Sequence, residues 1–233
     1  KQTAAWNRGA YLVEGLGHCS ECHSPRNLLG GIEQKKAFTG ADIDGWFALN
    51  LTSNLKIGLG SWSVDDIATY LKTGADKSKS TSLGPMSEVV HNSLSFMTDD
   101  DLQAMAEYLK ALPASSAMSP DHQPDKTLAA GATTYVDNCS ACHQAQGSGI
   151  PGVFPALAGN GVVLAADAND ILKVVLFGIP VQDGYIAMPG FGDKLSDQQI
   201  ADLANYLRSS WGNGAAVNAT AAQVAALRKL PVE

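Results

Sequence analysis

The four cysteines of this chain all belong to one pattern that is used twice. The two copies are Cys19-Ser20-Glu21-Cys22-His23 and Cys139-Ser140-Ala141-Cys142-His143. Cys-x-x-Cys-His is the attachment signature of c-type haem. Two sulfurs three positions apart on a helical turn can add to the two vinyl groups of one haem, and the next histidine then directs its imidazole at the iron. The pattern predicts two covalently bound haem c groups. The predicted attachment sites are Cys19, Cys22, Cys139 and Cys142, and the predicted proximal iron ligands are His23 and His143.

Two other readings of paired cysteines are a redox dithiol and a four-sulfur zinc site. Neither explains why a histidine follows immediately in both copies, or why the chain has no other cysteine. In addition, 120 positions separate Cys19 from Cys139, and each pair lies in its own copy of a longer repeat. Haem attachment is therefore the favoured interpretation.

The repeat is clearest in the last helix predicted for each half, residues 98–110 and 196–208. Each segment opens with a hydroxyl residue, Thr98 or Ser196, which suits a helix N-cap. Each carries apolar residues at positions i, i+3, i+4 and i+7, which form one buried helix face. These residues are Leu102, Met105, Ala106 and Leu109 in the first half, and Ile200, Leu203, Ala204 and Leu207 in the second.

A middle helix also recurs, over residues 63–74 and 167–178. Each copy starts at a capping residue, Ser63 or Asp167, and ends at a glycine. Helices are predicted to lead into each motif, from Trp6 to Leu16 and from Leu128 to Val136. Gly15 and Gly131 offer flat positions at which another helix could cross closely.

We therefore predict an all-α protein with two tandem domains, each wrapped around one haem. The first domain spans residues 1–113 and the second spans residues 126–212. Residues 114–125 contain serine, proline and aspartate, which is typical of a linker. Residues 213–233 form a tail with a helical candidate from Thr220 to Leu230, which we expect to pack on the body or on a partner.

The second axial ligand of each iron is predicted to be a methionine, because Met/His ligation suits electron transfer. Met188, beside Pro189, is the only methionine of the second half. The first half offers Met86, Met97 and Met105. Met86, also beside a proline, is favoured, because Met97 and Met105 have Leu195 and Leu203 at the equivalent repeat positions. His91 is a competing ligand near Met86.

A ligating imidazole usually donates its other N–H to a carbonyl. The sequence suggests Pro25 as the acceptor for His23, and Ile150 or Pro151 for His143.

Residues predicted to contact the first haem's propionates are Trp46, Asn50, Asn54 and Trp62, although the tryptophans could equally be ordinary core. Residues predicted to wall the second haem are Phe154, Leu157, Phe177 and Tyr185.

The formal net charge of −7 argues against a nucleic-acid partner, because phosphate binding requires a basic face. No apolar run approaches the roughly 20 residues that span a bilayer, so no transmembrane segment is predicted. The first residues lack a continuous apolar stretch, so they do not read as a signal peptide.

Several segments resemble the cytochrome c subunits of bacterial membrane-bound dehydrogenases that oxidise alcohols, aldehydes or sugar acids. They are residues 17–27 around the first motif, Asn50-Leu51-Thr52, Gly58-Leu59-Gly60-Ser61-Trp62 and Gly84-Pro85-Met86. The resemblance implies a class I cytochrome c fold for each half and a location in the periplasm. Any association with the membrane is expected to be peripheral, at the outer face of the inner membrane. The resemblance also implies electron transfer from a catalytic dehydrogenase subunit toward a quinone, another cytochrome or an oxidase. Many members carry three haems, whereas this chain has two motifs, so it is either a natural two-haem member or lacks a leading domain.

Three functions remain open from the sequence. The leading one is an electron relay that is not itself an enzyme, with both axial positions of each iron filled. The second is a haem enzyme, such as a dihaem peroxidase or a thiosulfate dehydrogenase, which would need an open iron and nearby acid–base groups. The third is a zinc-stapled binding module, which predicts a colourless protein.

Overall fold

The computed structural model describes residues 2–76, 79–116, 128–181 and 185–230. The chain divides into two units, one comprising Lys1–Asp76 with Thr81–Met118, and the other Lys77–Ser80 with Ser119–Glu233. The described residues are mostly helical. Of the predicted linker 114–125, residues 114–116 belong to the first unit, and the remainder lies outside the described residues.

The first unit begins with α1 (Ala4–Ala10), which continues as a π-helix (Tyr11–Leu16) into α2 (Ser20–His23). The later elements are β1 (Ala41–Ile43), β2 (Trp46–Ala48), α3 (Val64–Thr73), α4 (Pro85–Asn92) and α5 (Asp99–Lys110). Short 3₁₀ turns lie at Gln34–Lys36, Leu59–Ser61 and Leu94–Phe96.

Helix α1 crosses α5 at Gly9, where an added Cβ would lie 1.9 Å from the Ala104 carbonyl oxygen. The sequence placed this crossing at Gly15, which is wrong, because Gly15 is exposed and only the Tyr11 ring lies within 4 Å of its position. Gly9 lies in α1, whereas Gly15 lies within the π-helix Tyr11–Leu16. Beneath the crossing, the core is built from Leu12, Val13, Ile67, Leu71, Val90, Leu102, Met105 and Leu109.

The predicted helix boundaries of the first unit are confirmed at their caps. The Ser63 hydroxyl accepts the Asp66 N–H, and the Asp66 carboxylate accepts the Ser63 N–H in return. Thr98 caps α5 through the Asp101 N–H. Helix α3 ends at Gly74 with φ of 78°, the left-handed conformation that glycine adopts without strain.

A short β-hairpin, which the sequence reading did not predict, interrupts the helical architecture. Strands β1 and β2 pair antiparallel, with Ala41 opposite Ala48 and Ile43 opposite Trp46. Asp44 and Gly45 form the turn between them with φ of 49° and 74°. Asp-Gly is the residue pair that favours such two-residue hairpin turns. The hairpin packs against α2 and so lies beside the first motif.

The second unit contains α6 (Leu128–Asn138), α7 (Ser140–His143), α8 (Gly161–Leu164), α9 (Asn169–Phe177), β3 (Gly178–Ile179), β4 (Met188–Pro189), α10 (Asp197–Ser209) and α11 (Ala221–Leu227). The predicted close crossing at Gly131 is confirmed, because a Cβ there would lie 2.2 Å from the Asp202 carbonyl oxygen of α10. Helices α6 and α10 therefore meet in this unit as α1 and α5 do in the first.

The predicted cap of α10 is confirmed, whereas that of α9 is wrong, because its N-cap residue is Ala168, which makes no side-chain cap hydrogen bond. Ser196 and Gln199 form a reciprocal capping pair at the start of α10. The Asp167 carboxylate accepts the Asn169 N–H at 2.6 Å, and α9 begins at Asn169. It ends at Gly178, whose backbone packs so closely on Met188 that a Cβ would lie 2.3 Å from the Met188 carbonyl oxygen.

Part of the predicted tail packs on the second unit itself. Helix α11 lies against α10, with Val224 fully buried. Asn205 of α10 exchanges two hydrogen bonds with the backbone of Ala219, at 2.9 and 3.0 Å. Arg228 donates to the Asp197 carboxylate at 2.6 Å. Within the described residues, no helix is both long and apolar enough to cross a membrane.

Candidate haem-binding sites

The first motif lies on the short helical turn that follows the π-helix. The Cys19 N–H donates to Val13 O at 3.1 Å, and the His23 N–H donates to Cys19 O at 3.0 Å. Cys22 and His23 therefore lie on the short helix α2, and Cys19 is its N-cap residue. His18, at the junction, has φ of 35°, a conformation that non-glycine residues rarely adopt.

His23 is oriented by a backbone carbonyl, as predicted, but the acceptor is Leu49 rather than Pro25. Its Nδ1 lies 2.7 Å from Leu49 O. Pro25 O instead accepts the Glu33 N–H at 2.9 Å. The prediction of Pro25 is wrong because the β-hairpin, whose β2 ends just before Leu49, returns to α2 and brings this carbonyl to the ring.

His143 has the same arrangement in the second unit. The ring is buried, and its Nδ1 lies 2.9 Å from Pro155 O. The predictions of Ile150 and Pro151 as acceptors are wrong. Ile150 and Phe154 bridge each other across a tight turn, which leaves the next carbonyl, that of Pro155, facing the imidazole.

Burial keeps both imidazoles neutral. Desolvation lowers the pKa of His23 and of His143, and the carbonyl hydrogen bonds offset this only in part. A neutral ring that donates through Nδ1 carries its free lone pair on Nε2. That is the nitrogen a metal would take, and the carbonyl makes it more basic.

The two cysteine pairs also share one arrangement. No disulfide joins any of the four; the first of each pair is sheltered, whereas Cys22 and Cys142 are exposed. Burial raises the pKa of Cys19 and of Cys139 to about 11, so these groups are thiols at neutral pH. Two thiols and a neutral histidine on one turn fit the donor set of a covalent haem. Among the described residues, no three or more His, Cys, Asp or Glu side chains are grouped to hold a metal ion, so no four-sulfur zinc cluster is found there.

Met86 lies in the first turn of α4 and is half-buried against the core of its unit. Gly84, just before it, has φ of 49°, and its position faces the Trp46 indole so closely that a Cβ would lie 2.6 Å from the ring. The hairpin that supplies the His23 acceptor thus also contacts the turn that carries Met86. Met97 packs on the same core, and Met105 is fully buried in it. The assignment of Met86 as the iron ligand stays a prediction.

Met188 lies in β4, where it pairs with Ile179. Two residues earlier, the Ile186 N–H donates to Val153 O at 3.2 Å, which ties this segment to the loop that holds His143. Of the residues predicted to wall the second haem, Phe154 lies 6.5 Å from the His143 ring, centroid to centroid, and Tyr185 is buried. Met188 as an iron ligand also stays a prediction.

Asn50 and Asn54 have a role that the sequence did not suggest. Their side-chain amides donate to Ser115, to Oγ at 3.0 Å and to the carbonyl oxygen at 3.1 Å respectively. Asn50 Oδ1 also accepts the Thr52 N–H at 2.8 Å. These contacts fix the loop that follows Leu49. Ser115 lies in the predicted linker, so its composition gave no sign of this role.

Paired motifs with oriented histidines, each in a helical unit whose first helix crosses a later one (α1 on α5, α6 on α10), define a c-type cytochrome. Residues 128–211 match the family model for cytochrome c. Cytochrome c-552 of Thermus thermophilus is 35% identical to this chain over 110 residues, which cover 42% of this chain and 83% of that protein. The chain therefore belongs to the cytochrome c family, and this membership implies covalently bound haem c.

Longer similarity links the chain to one branch of that family. The gluconate 2-dehydrogenase cytochrome c subunit of Pantoea cypripedii is 41% identical over 95% of this chain and 56% of that subunit. The cytochrome c subunit of alcohol dehydrogenase (quinone) from Gluconobacter oxydans is 42% identical over 95% of this chain and 51% of that subunit. These relatives confirm the resemblance to dehydrogenase cytochrome subunits. The chain spans about half the length of these two subunits.

Proposed function

We propose that this chain is a two-haem electron relay, with one haem c on each unit. Cys19 and Cys22 attach the first haem, and Cys139 and Cys142 attach the second. His23 and His143 are the proximal iron ligands. Met86 and Met188 complete the two coordination spheres.

One observation carries this proposal. In both units the histidine of the Cys-x-x-Cys-His turn places Nδ1 within 2.9 Å of a backbone carbonyl, that of Leu49 or Pro155. This hydrogen bond fixes the ring orientation and directs Nε2 away from the protein backbone, as metal-ligating histidines require. An ordinary core histidine can place one ring nitrogen near a backbone carbonyl by chance. Chance does not explain why the same contact occurs beside a cysteine pair in both repeats.

The bound haem supplies an iron that changes between two oxidation states. The protein's part is to hold the histidine neutral, to fill the sixth position with a thioether and to keep water from the iron. Met/His ligation suits this task, because it raises the reduction potential and closes the site to exogenous ligands. The exposure of Cys22 and Cys142 supports an arrangement in which the attached edge of each haem lies near the surface, where a partner's redox centre can approach.

The proposed electron donor is a catalytic dehydrogenase subunit, and the acceptor is a quinone, another cytochrome or an oxidase. The names of the relatives support the donor, since they are cytochrome c subunits of gluconate and alcohol dehydrogenases. They give no support to a peroxidase or a thiosulfate dehydrogenase. We propose that the chain works in the periplasm, at the outer face of the inner membrane.

The direct test is to mature the chain in a host that attaches haem c, and to record its absorption spectrum and intact mass. We expect a Soret band, two haems per chain and no pigment released by acidified acetone. A colourless product, or pigment that the solvent extracts completely, would reject covalent haem. A mass with one haem would reject the two-haem relay and would identify, after peptide mapping, the motif that is not used.

A further inference from the structure

The turn that follows α10 contacts the haem-motif loop of the second unit near its C-terminal end. Asn213, only 1% exposed, accepts the Gly159 N–H on Oδ1 at 2.7 Å. Its Nδ2 donates to Leu157 O at 3.2 Å and to Leu207 O at 2.7 Å. Asn213 therefore ties α10 to a segment that begins two residues after Pro155.

Trp211 holds the N-terminal end of the same loop. Its indole N–H donates to Ala145 O at 3.2 Å. The ring covers Gly147 so closely that a Cβ there would lie 2.5 Å from a ring carbon. It also packs on Tyr135 at 5.0 Å between centroids, and the Tyr135 hydroxyl donates to Gln144 O at 2.5 Å.

The two ends of the loop are joined to each other as well. Gly147 O accepts the N–H groups of Leu157 and Ala158, at 2.7 and 3.0 Å. The Gly149 N–H donates to His143 O at 3.0 Å. Pro155 therefore lies inside a closed loop that is fixed at both ends by the turn after α10.

Building on the proposed haem of the second unit, we propose that Trp211 and Asn213 are positioning residues that hold the Pro155 carbonyl on the His143 ring and thereby set the reduction potential of that haem. A carbonyl that accepts from Nδ1 makes the imidazole more electron-rich and favours the oxidised iron. If the loop relaxes, this hydrogen bond weakens and the potential rises.

The first unit contains a comparable connection made from different residues. Ser115 lies five positions after Lys110, just as Asn213 lies five positions after Arg208. Through Asn50 and Asn54, Ser115 fixes the loop immediately after Leu49, whose carbonyl orients His23. Since the same repeat position anchors the acceptor loop in both units, the contact of Asn213 is a recurring feature of the repeat.

The test compares Asn213→Ala and Trp211→Phe with Asn205→Ala in the haem-loaded full chain. Asn205 is a matched control, because it is also a buried asparagine on or beside α10, but its described hydrogen bonds go to Ala219, away from the haem loop. Trp211→Phe keeps an aromatic ring at this position while it removes the N–H donor and one ring of the indole, so it guards against a loss of folding. The measurements are the two haem potentials and the solvent exchange of the His143 Nδ1 proton, followed by nitrogen-15 NMR in the reduced state.

We expect Asn213→Ala to raise the potential of the second haem and to speed exchange of the His143 Nδ1 proton roughly five- to tenfold, the range for losing one hydrogen bond. Trp211→Phe should shift both in the same direction by less. The first haem is the internal reference and should not change. The proposal is overturned if Asn213→Ala and Asn205→Ala lower thermal stability alike while the potential and the exchange rate stay at the wild-type values. Absence of haem on Cys139 and Cys142 in the unmodified chain would instead refute the proposed function.

Discussion

The two units use the same repeat position to anchor the loop before their middle helix, but they use different chemistry. In the first unit, the ammonium of Lys110 donates to the carbonyl oxygens of Leu59, Gly60 and Trp62 at 3.3, 2.8 and 2.6 Å. In the second unit, Arg208 takes that position. Its guanidinium donates to backbone carbonyls of Val163, Ala165, Ala166, Asp167 and Ala216.

The difference lies in burial. Lys110 is half-buried, whereas Arg208 is fully buried, and desolvation lowers its pKa to about 10 although nearby Asp167 opposes the shift. Arg208 stays charged at neutral pH because its pKa is still well above 7, and its donors are matched by backbone carbonyls in and after α8. The repeat therefore keeps the direction of the anchor, from the last helix to the loop before the middle helix. In the second unit, the anchoring side chain of Arg208 is part of the buried core.

The strongest test of the comparison between the two units is to remove the cysteines of one unit at a time. The double variant Cys139→Ala with Cys142→Ala should retain one covalent haem instead of two, and so should Cys19→Ala with Cys22→Ala. The reason is that each motif holds a complete donor set within its own unit. Haem content by the pyridine haemochrome assay, with intact mass, measures the result. A single pair whose removal abolishes both attachments would show that the units do not mature independently.

The methionine ligands can be compared in the same way. Met188→Ala should turn the second haem high-spin and allow it to bind carbon monoxide or cyanide, because the sixth position opens. Met86→Ala should do so for the first haem. The control is Met97→Ala, which should cost stability through lost packing but leave both spectra low-spin. A low-spin spectrum after Met86→Ala, together with a high-spin one after Met97→Ala, would reassign the first ligand.

The two anchors should differ in what they contribute to stability. Arg208→Met leaves several buried carbonyls unpaired, and we expect it to lower the free energy of unfolding by about 3–5 kcal/mol. Lys110→Met should cost about 1–2 kcal/mol, because its carbonyls are closer to water. Urea unfolding of the haem-loaded chain, followed by circular dichroism, measures both. Equal losses would mean that burial does not distinguish the anchors.

Sequence periodicity was sufficient for the elements that depend on local rules. The caps Ser63, Thr98 and Ser196 and the crossing at Gly131 were predicted, because each reflects a short-range pattern. The hairpin turn at Asp44 and Gly45 also has a local sequence signal, the Asp-Gly pair, but the prediction considered only helices and missed it.

The histidine acceptors could not be predicted, because Leu49 and Pro155 reach the rings only after the chain has folded back. No spacing from the motif fixes where such a loop returns: Leu49 follows His23 by 26 residues, whereas Pro155 follows His143 by 12. The same holds for Ser115 and Asn213, which meet the acceptor loops from the far end of each unit.

The misplaced helix crossing has a more specific cause. Cys139 follows Gly131 by eight residues, whereas Cys19 follows Gly9 by ten. The π-helix at Tyr11–Leu16 takes up this difference, with the Gly17 N–H donating to Leu12 O at 2.7 Å, five residues back. A wider helix adds residues without changing where the crossing glycine meets its partner helix.

The three glycines give the final and smallest test of the comparison. In Gly9→Ala and Gly131→Ala, the new methyl group would meet a backbone carbonyl at 1.9 or 2.2 Å, so the paired helices must separate. We expect each change to cost about 1–3 kcal/mol of unfolding free energy, the usual range for overpacking. Gly15→Ala has open space, with the nearest atom at 3.7 Å, and should stabilise the chain by about 0.5–1 kcal/mol through helix propensity. Urea unfolding of the three variants measures these differences, and a large loss in Gly15→Ala would show that the crossing lies where the sequence placed it and that the π-helix does not set the register of the first unit.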